Sequence, residues 1–226
     1  ALVVGEEGEV TYTWRLCFVP GVVSAGQLCL DPSAEIALGQ GASATIPVPA
    51  PEQLLEQAPP GLQGLQIDLS AGVPIQVQLD VTDASGRVLT ALKRVLVTSR
   101  EETNTNPVME GVTLEGEPWE ADQIAEVADT EEALEVAPRW SEGVQEAYDD
   151  EGVPATEALL FSWFIDDESS ELGKDRSSDS VPENTFTPGA LEEEEVDRLV
   201  TLWLVARDDR GGVAWVSRQL RIVRGE

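Results

Sequence analysis

The chain has few of the side chains that usually carry catalysis. None of its 226 residues is histidine, so neither a Ser-His-Asp nor a Cys-His relay can form. It contains no G-x-S-x-G, P-loop or G-x-G-x-x-G motif. Carboxylate pairs could serve a glycosidase, but some pairing is inevitable among 43 acidic residues and identifies no site. The sequence therefore favours a protein that is not an enzyme.

Carboxylates are dense in one Ser-rich segment of the second half. Its acidic residues include Asp166, Asp167, Glu168, Asp175 and Asp179. Calcium takes about six to eight oxygen ligands, and this segment lacks the alternating D-x-D-x-D-G order of a dedicated calcium loop. We expect an exposed acidic loop here, with a calcium site as the less favoured alternative and no other cofactor.

The chain has two cysteines, Cys17 and Cys29. Their spacing is far from that of CxxC redox or zinc motifs, and no histidine could complete a metal site. We expect a disulfide between them, with two free buried thiols as the alternative. A disulfide would place the protein outside the cytoplasm, in the periplasm, on the outer-membrane surface or in the medium.

Two tryptophans, Trp203 and Trp215, lie on the two strands of a predicted hairpin. Exposed side by side, they could form an aromatic platform for a sugar. Packing in the core or at a sheet edge is the alternative, and it is the one that we favour.

The charge of the chain excludes some partners. It has 14 basic and 43 acidic residues, a net charge of −29, and such a field repels nucleic acid and anionic lipid. No apolar run approaches the roughly 20 residues of a membrane span. We therefore expect no nucleic-acid partner, and membrane attachment only through a lipid anchor that this sequence does not contain.

One hairpin-like segment occurs twice, at an offset of 125 residues. The offset matches Asp83 with Asp208 and Gly86 with Gly211, with no gap between them. In each copy we expect the Asp side chain to accept backbone N–H groups of a tight turn, and the Gly to supply a positive φ. Calcium binding at these two aspartates is the less favoured alternative. The repeat predicts two copies of one small β domain in tandem.

The first copy is expected to occupy residues 1–100. A strand carrying Trp14 precedes a short helix at 51–58, which has Pro at its first turn. Strict alternation over 73–82 predicts a half-buried antiparallel strand. Its inward residues are expected to be Ile75, Val77, Leu79 and Val81, and its outward ones Gln76, Gln78, Asp80 and Thr82.

The second copy is expected to occupy residues 101–226. Its predicted strands are Val108–Leu114, Ala133–Pro138, Ala158–Ile165, Asn184–Pro188 and Arg198–Ala206. An Ig-like core would bury Trp14 and Trp163 at equivalent positions on a central strand. The first copy has only Ala1–Val4 before its tryptophan strand, so we expect it to lack its first strand. Either an upstream segment or a strand from a partner would fill that edge.

Several segments carry a resemblance to a known group of modules. Phe161–Phe164, Asn184–Pro188 and Val205–Trp215 resemble Ig-like or PKD-type modules of bacterial surface proteins, although the PKD-type W-D-F-G-D run is absent. Tyr12–Cys17, together with Cys29, is similar to surface lipoproteins of myxobacterial type, whose function is not known.

The resemblance implies an all-β protein made of two tandem antiparallel Ig-like β-sandwich domains. For function, we expect a structural or binding module of the cell envelope or cell surface, as a subunit or spacer in a larger assembly with protein partners. A carbohydrate-binding module is the alternative function.

Overall fold

The computed structural model describes residues 10–18, 35–46, 72–99, 103–130, 132–141, 143–150 and 153–225. The chain divides into two compact units, Ala1–Thr103 and Asn104–Glu226. Within the described ranges all regular elements are β-strands, as the all-β prediction requires. The helix expected at 51–58 and the segment Ala1–Val4 lie outside those ranges. The described residues also include no helix that is long and apolar enough to cross a membrane.

The first unit contains a four-stranded antiparallel sheet in its described part. Its strands are β1 (Thr11–Phe18), β2 (Ile36–Gly39), β3 (Val73–Thr82) and β4 (Val88–Val97). Their order is β2-β1-β3-β4, so the tryptophan strand β1 is internal. One face of the sheet carries a small apolar core of Leu16, Val73, Ile75, Val77 and Val97. The described residues of this unit form this one sheet.

Strand β3 is buried on both faces, which corrects the expectation of a solvent-facing polar row. The polar residues concerned are Gln76, Gln78 and Asp80, which are 3%, 3% and 8% exposed. The carboxylate of Asp80 accepts hydrogen bonds from Gln78 Nε2 at 3.0 Å and Thr90 Oγ1 at 2.7 Å. It also pairs with the guanidinium of Arg15 at 2.7 Å. Buried polar groups are tolerated when they are hydrogen-bonded in this way. The alternation of polar and apolar residues in the sequence cannot by itself distinguish a buried, hydrogen-bonded polar row from one that is exposed to solvent.

The second unit is built from twelve strands in its described part. They are β5 (Met109–Leu114), β6 (Glu117–Trp119), β7 (Ile124–Ala128), β8 (Leu134–Trp140), β9 (Ala147–Asp150), β10 (Val153–Thr156), β11 (Leu159–Ile165), β12 (Glu171–Leu172), β13 (Arg176–Ser178), β14 (Asn184–Thr187), β15 (Asp197–Asp208) and β16 (Val213–Val223). Two sheets have five strands each, in the orders β13-β11-β15-β16-β7 and β12-β14-β8-β5-β6, and β9 and β10 form a separate pair. Side chains from both sheets form one core that includes Val136, Phe161, Phe186 and Leu220.

The strand order of this unit is that of an Ig-like sandwich. The runs β5-β8-β14 and β11-β15-β16 correspond to the A-B-E and C-F-G strands of that fold. Neighbouring strands are antiparallel except β7, which runs parallel to Gln219–Val223 of β16. Trp163 lies on β11, the C-strand position, and is 2% exposed. The second unit is therefore an Ig-like β-sandwich.

The two hairpins of the sequence repeat have the same register. Trp14 is paired with Leu79 in the first unit and Trp163 with Leu204 in the second, and the two leucines are 125 residues apart. The two tryptophans thus occupy equivalent positions, as predicted. Their burial differs, because Trp163 is buried whereas Trp14 is only half-buried. The Trp14 indole donates a hydrogen bond to the Gly41 carbonyl at 2.8 Å.

Candidate functional site

The first of the two Asp-Gly turns is a closed hydrogen-bonded loop. Asp83 Oδ1 accepts the backbone N–H groups of Ser85 at 2.8 Å and Arg87 at 2.9 Å. Gly86 has a φ of 84°, which favours glycine. The hydrogen bond from the Ser85 hydroxyl is the main cause that holds the pKa of Asp83 below its usual value. The predicted structural role of this aspartate is confirmed.

The second turn repeats that geometry. Asp208 Oδ1 accepts the backbone N–H groups of Arg210 at 3.0 Å and Gly212 at 2.6 Å. Gly211 has a φ of 100°. Asp208 is 7% exposed, and its carboxylate is used by the protein itself rather than presented to a ligand.

The segment that enters the second unit is bonded to this turn, and we call Asn104–Asn106 the entry latch. Asn104 Nδ2 donates to the two carboxylate oxygens of Asp208 at 3.2 and 3.1 Å. Asn106 Oδ1 accepts the backbone N–H of Val213 at 2.9 Å, and the Thr105 hydroxyl bonds Glu146. Sequence reasoning found the turn but not the latch, because Asn104 is about a hundred residues from its partner.

The latch explains why the second turn has Gly212 where the first has Arg87. A Cβ added at Gly212 would lie 2.0 Å from Asp208 Oδ2 and 2.9 Å from the Thr105 carbonyl oxygen. Both distances are too short for a side chain. The space that Arg87 occupies in the first turn is thus filled in the second by the latch and the carboxylate that it binds.

A buried ion-pair network lies beside the second turn. Glu157 is 2% exposed, and its Oε1 lies 3.1 Å from Arg210 Nη1. Its Oε2 accepts the backbone N–H of Glu146 at 2.9 Å. Arg210 also pairs with the Glu146 carboxylate at 3.2 Å and lies 4.9 Å from the centre of the Tyr148 ring. Because a fixed cation and a backbone donor already satisfy Glu157, this arrangement suits structural stabilisation rather than catalysis.

The five calcium candidates do not converge on one site. Asp179 Oδ2 accepts the N–H of Leu159 at 3.1 Å, at the start of β11. Asp166 Oδ1 accepts the N–H of Thr201 at 2.7 Å and follows the end of β11, about 20 Å away along that strand. The other candidates are the exposed Glu168 and Asp175 and the half-buried Asp167. No group of three or more acidic side chains in the described ranges is placed to hold a metal ion.

Asp167 instead joins a local cluster of hydrogen bonds. Burial opposes its ionisation, but hydrogen bonds from the Ser170 and Ser169 hydroxyls and from the Ser169 N–H, together with a nearby cation, give a lowered pKa. The Arg198 guanidinium, 3.4 Å away, acts in the same direction. In its ionised form, the Asp167 carboxylate thus accepts the hydrogen bonds that hold the loop after β11 together.

Cys17 lies on β1 and is 3% exposed. Cys29 lies outside the described residues, so the Cys17–Cys29 disulfide stays a prediction.

The outer face of the sheet β13-β11-β15-β16-β7 carries the largest set of exposed apolar side chains in the described part of the second unit. Alternate residues of β11, β15 and β16 point into the core, and the intervening residues point away from it. Six apolar residues among these define what we call the aromatic face: Leu160, Phe164, Leu199, Trp203, Val205 and Trp215. Four of them are largely exposed, namely Leu160 (41%), Phe164 (51%), Leu199 (51%) and Trp215 (52%).

The two tryptophans of the suggested sugar platform differ in exposure. Both point to the outer face, since Trp203 is paired with Ser217 and Trp215 with Val205 on the adjacent strand. Trp203 is only 8% exposed. Of the two tryptophans, Trp215 alone presents a broad ring surface.

The aromatic face is free of acidic residues over most of its area. No outward residue is acidic on β11, between Leu199 and Arg207 on β15, or between Val213 and Arg221 on β16. Asp166 borders the face beyond Phe164, where its carboxylate accepts the N–H of Thr201 at 2.7 Å. Asp197 and Glu126 lie at one end and pair with Arg221 at 3.6 and 3.8 Å. In a chain with 43 acidic residues, this face is an apolar and weakly basic exception.

Comparisons with known proteins identify no family. No protein-family model matches the chain, and no curated protein matches it. A periplasmic chaperone, SfaE, is 10% identical with a TM-score of 0.35, over 51% of this chain and 58% of the chaperone. A protocadherin gammaB7 EC3-6 cis-dimer structure is 14% identical with a TM-score of 0.25, over 94% of this chain and 40% of the protocadherin. The chain thus spans less than two thirds of either protein, and the fold assignment above follows from strand order.

Proposed function

We propose that the protein is a non-enzymatic binding module of an extracytoplasmic assembly, and that the aromatic face binds a protein partner. The observation that carries this proposal is the contrast between the face and the rest of the chain. The net charge of −29 keeps most of the surface hydrated and repels other copies of the chain. A face whose carboxylates lie only at its borders and which exposes Phe164 and Trp215 is suited to a different protein with a neutral or acidic surface.

The size and composition of the face fit a small protein contact. Leu160 and Phe164 are about 13 Å apart along β11, and β11 and β16 are about 10 Å apart across the sheet. Aromatic residues and Arg are enriched at interface centres, and Arg207 borders the face. Covering the exposed half of Trp215 would remove on the order of 100 Å² of apolar surface, worth about 2–3 kcal/mol.

The extracytoplasmic location is part of the proposal and is supported by the predicted Cys17–Cys29 disulfide, since such bonds persist in oxidising compartments. The periplasm, the outer-membrane surface and the medium all meet that condition. A subunit or spacer of a cell-envelope assembly is the role that we propose, with two tandem Ig-like domains as its architecture.

Carbohydrate binding is the second candidate, and the exposed ring of Trp215 is the observation that favours it. Sugar platforms use flat aromatic surfaces, and only one of the two tryptophans offers such a surface here. A protein partner uses the whole face, including Phe164 and Leu160, and is therefore our first choice.

The test compares Trp215→Ser with Val196→Ser, a matched loss of apolar surface at a residue that is 82% exposed and not part of the face. Each variant and the wild type would be cross-linked in an envelope extract of the source organism, and the captured proteins quantified by mass spectrometry. We expect one partner to be retained by Val196→Ser and lost by both Trp215→Ser and Phe164→Ser. Absence of any partner that depends on Trp215 would contradict the proposal. A glycan-array signal lost in Trp215→Ser would establish the carbohydrate alternative instead.

A further inference from the structure

Two exposed arginines stand at the Leu160 end of the aromatic face. Arg176 on β13 is paired with Ser162 of β11, and Arg207 on β15 is paired with Leu160 of the same strand. Leu160 and Ser162 alternate with the core residues of β11 and therefore point outward. Residues directly opposite each other on neighbouring strands share a face, so both exposed arginines lie on the outer face of this sheet.

The second unit uses most of its cations internally. Of its nine basic residues, four pair with carboxylates and three bond to backbone carbonyls, namely Arg139, Arg198, Arg210 and Arg221 in the first group and Lys174, Arg218 and Arg224 in the second. Within the described part of the chain, the side chain of Arg207 bonds only to the Ser162 hydroxyl, at 2.9 Å. The side chain of Arg176 makes neither an ion pair nor a hydrogen bond with the described residues. These two cations are thus left for an anion from outside the chain.

The two guanidinium groups are placed to reach the same anion. Their Cα atoms are two strand spacings and two residues apart, about 12 Å by sheet geometry. Arg207 Nη1 leans towards Arg176, since it bonds the hydroxyl of the residue with which Arg176 is paired. That residue, Ser162, is 6% exposed although it points outward, which fits a side chain covered by the arginine above it. A single anion above Ser162 would therefore lie between the two arginines.

The surroundings indicate a carboxylate carried by an apolar ligand. Guanidinium binds carboxylate through two parallel N–H···O bonds. Leu160 and Phe164, beside the arginines, are 41% and 51% exposed, so a ligand bound here must also cover apolar surface. The carboxylate of Asp166 borders the face beyond Phe164 and is bonded to the Thr201 N–H, away from the arginines. The face thus has a cationic end, and it fits a ligand with its anion at that end.

A protein side chain is a better source of this anion than a sugar acid or a second copy of the chain. A carboxylated polysaccharide would bury hydroxyl groups against Leu160 without hydrogen bonds, which is unfavourable. Two molecules of this chain, each of charge −29, repel one another. An Asp or Glu side chain flanked by apolar residues meets both requirements of the cationic end.

We propose that Arg176 and Arg207 together bind an Asp or Glu carboxylate of the protein partner, whose neighbouring apolar side chains cover Leu160, Phe164 and Trp215. This inference rests on the function proposed for the aromatic face and adds the chemistry of its partner. The apolar contacts supply most of the affinity, and the arginine pair selects and orients the segment that binds.

The probes are peptides selected on the full chain from a phage-displayed random library. The most enriched peptide is synthesised with a fluorophore, and its Kd is measured by anisotropy at low and high salt. We expect enriched sequences with an Asp or Glu next to Phe, Leu, Ile or Trp, and binding that weakens as salt rises.

The chain offers a matched control for the loss of one positive charge. Arg176→Gln and Arg207→Gln should each weaken peptide binding by about three- to tenfold. Lys174→Gln should leave it unaltered, because Lys174 lies outside the face and bonds the Glu183 carbonyl. Circular dichroism checks that each variant is folded.

A double-mutant cycle tests the direct contact. Replacing the acidic residue of the peptide by its amide should weaken binding to the wild type, and it should weaken binding to Arg207→Gln much less. Such coupling is the mark of two groups in contact. A general effect of charge would instead give additive losses.

The inference is overturned if the selection yields no peptide, if the enriched peptides lack acidic residues, or if the losses in the cycle are additive. It is also overturned if polygalacturonate binds in an arginine-dependent way and acidic peptides do not, or if sedimentation shows a self-association that Arg207→Gln abolishes.

The Trp215→Ser variant separates this inference from the proposed function. A peptide that depends on Trp215 but not on Arg176 or Arg207 would leave the aromatic face as a protein-binding surface and remove the carboxylate contact. An empty selection would overturn the inference drawn here and would leave the cross-linking experiment to decide the function of the face.

Discussion

The entry latch gives a prediction that can be worked through quantitatively, the effect of Gly212→Ala. The new Cβ would lie 2.0 Å from Asp208 Oδ2 and 2.9 Å from the Thr105 carbonyl oxygen. The carboxylate must rotate, and it then loses the two hydrogen bonds from Asn104. Hydrogen bonds to a charged group contribute about 1.5–3 kcal/mol, so we expect a loss of about 2–3 kcal/mol in the free energy of unfolding.

Urea denaturation followed by circular dichroism measures this loss. The control is Arg87→Ala, at the equivalent position of the first turn, where a Cβ is already present and the arginine is exposed. That variant should change stability by less than about 0.5 kcal/mol.

A double-mutant cycle with Asn104→Ala tests the mechanism. If Gly212→Ala acts by displacing the carboxylate from Asn104, the two losses should be clearly less than additive. Additive losses, or a Gly212→Ala variant as stable as the wild type, would refute the reasoning.

Two further predictions concern the core and the loop after β11. Trp163→Ala should cost roughly 3–5 kcal/mol, and Trp14→Ala should cost less because its indole is only half-buried; comparable losses in urea denaturation would contradict the difference in burial. Asp167→Asn should destabilise the protein at pH 7, because the lowered pKa means that the folded state favours the anion. That stabilisation is present above the usual aspartate pKa of 3.8 and is lost as the pH falls through the lower pKa of the folded state. Thermal unfolding of wild type and variant should converge in acid, and a constant difference down to pH 2 would count against it.

The hairpins were predictable from sequence because their information is local. Asp83 and Asp208 lie within four residues of the amides that they bind, and the repeat fixed the register through the shared offset. The alternation of β3 likewise identified its core residues. These features depend on residues that are close in sequence or on the period of a strand.

The features that could not be predicted from the sequence depend on contacts between segments that are distant along the chain. Whether Gln78 faces water or a buried carboxylate is decided by Arg15 and Thr90, which no periodicity in β3 reveals. The difference between Trp203 and Trp215 has the same origin, since both point to the same face and only packing separates them. Dense acidic sequence suggested calcium as an alternative, but the carboxylates of Asp166, Asp167 and Asp179 accept hydrogen bonds from nearby amides or hydroxyls.

The parallel pairing of β7 with β16 also has a mechanical consequence. Tension that pulls β7 towards its amino end and β16 towards its carboxyl end acts along the strands in opposite directions. The hydrogen bonds that join Gln219–Val223 of β16 to β7 then bear the force in shear and must break together. The antiparallel β15–β16 hairpin, pulled from its open end, would unzip one bond at a time. In a spacer under tension, the pairing of β7 with β16 would therefore be the part of this unit that resists the force.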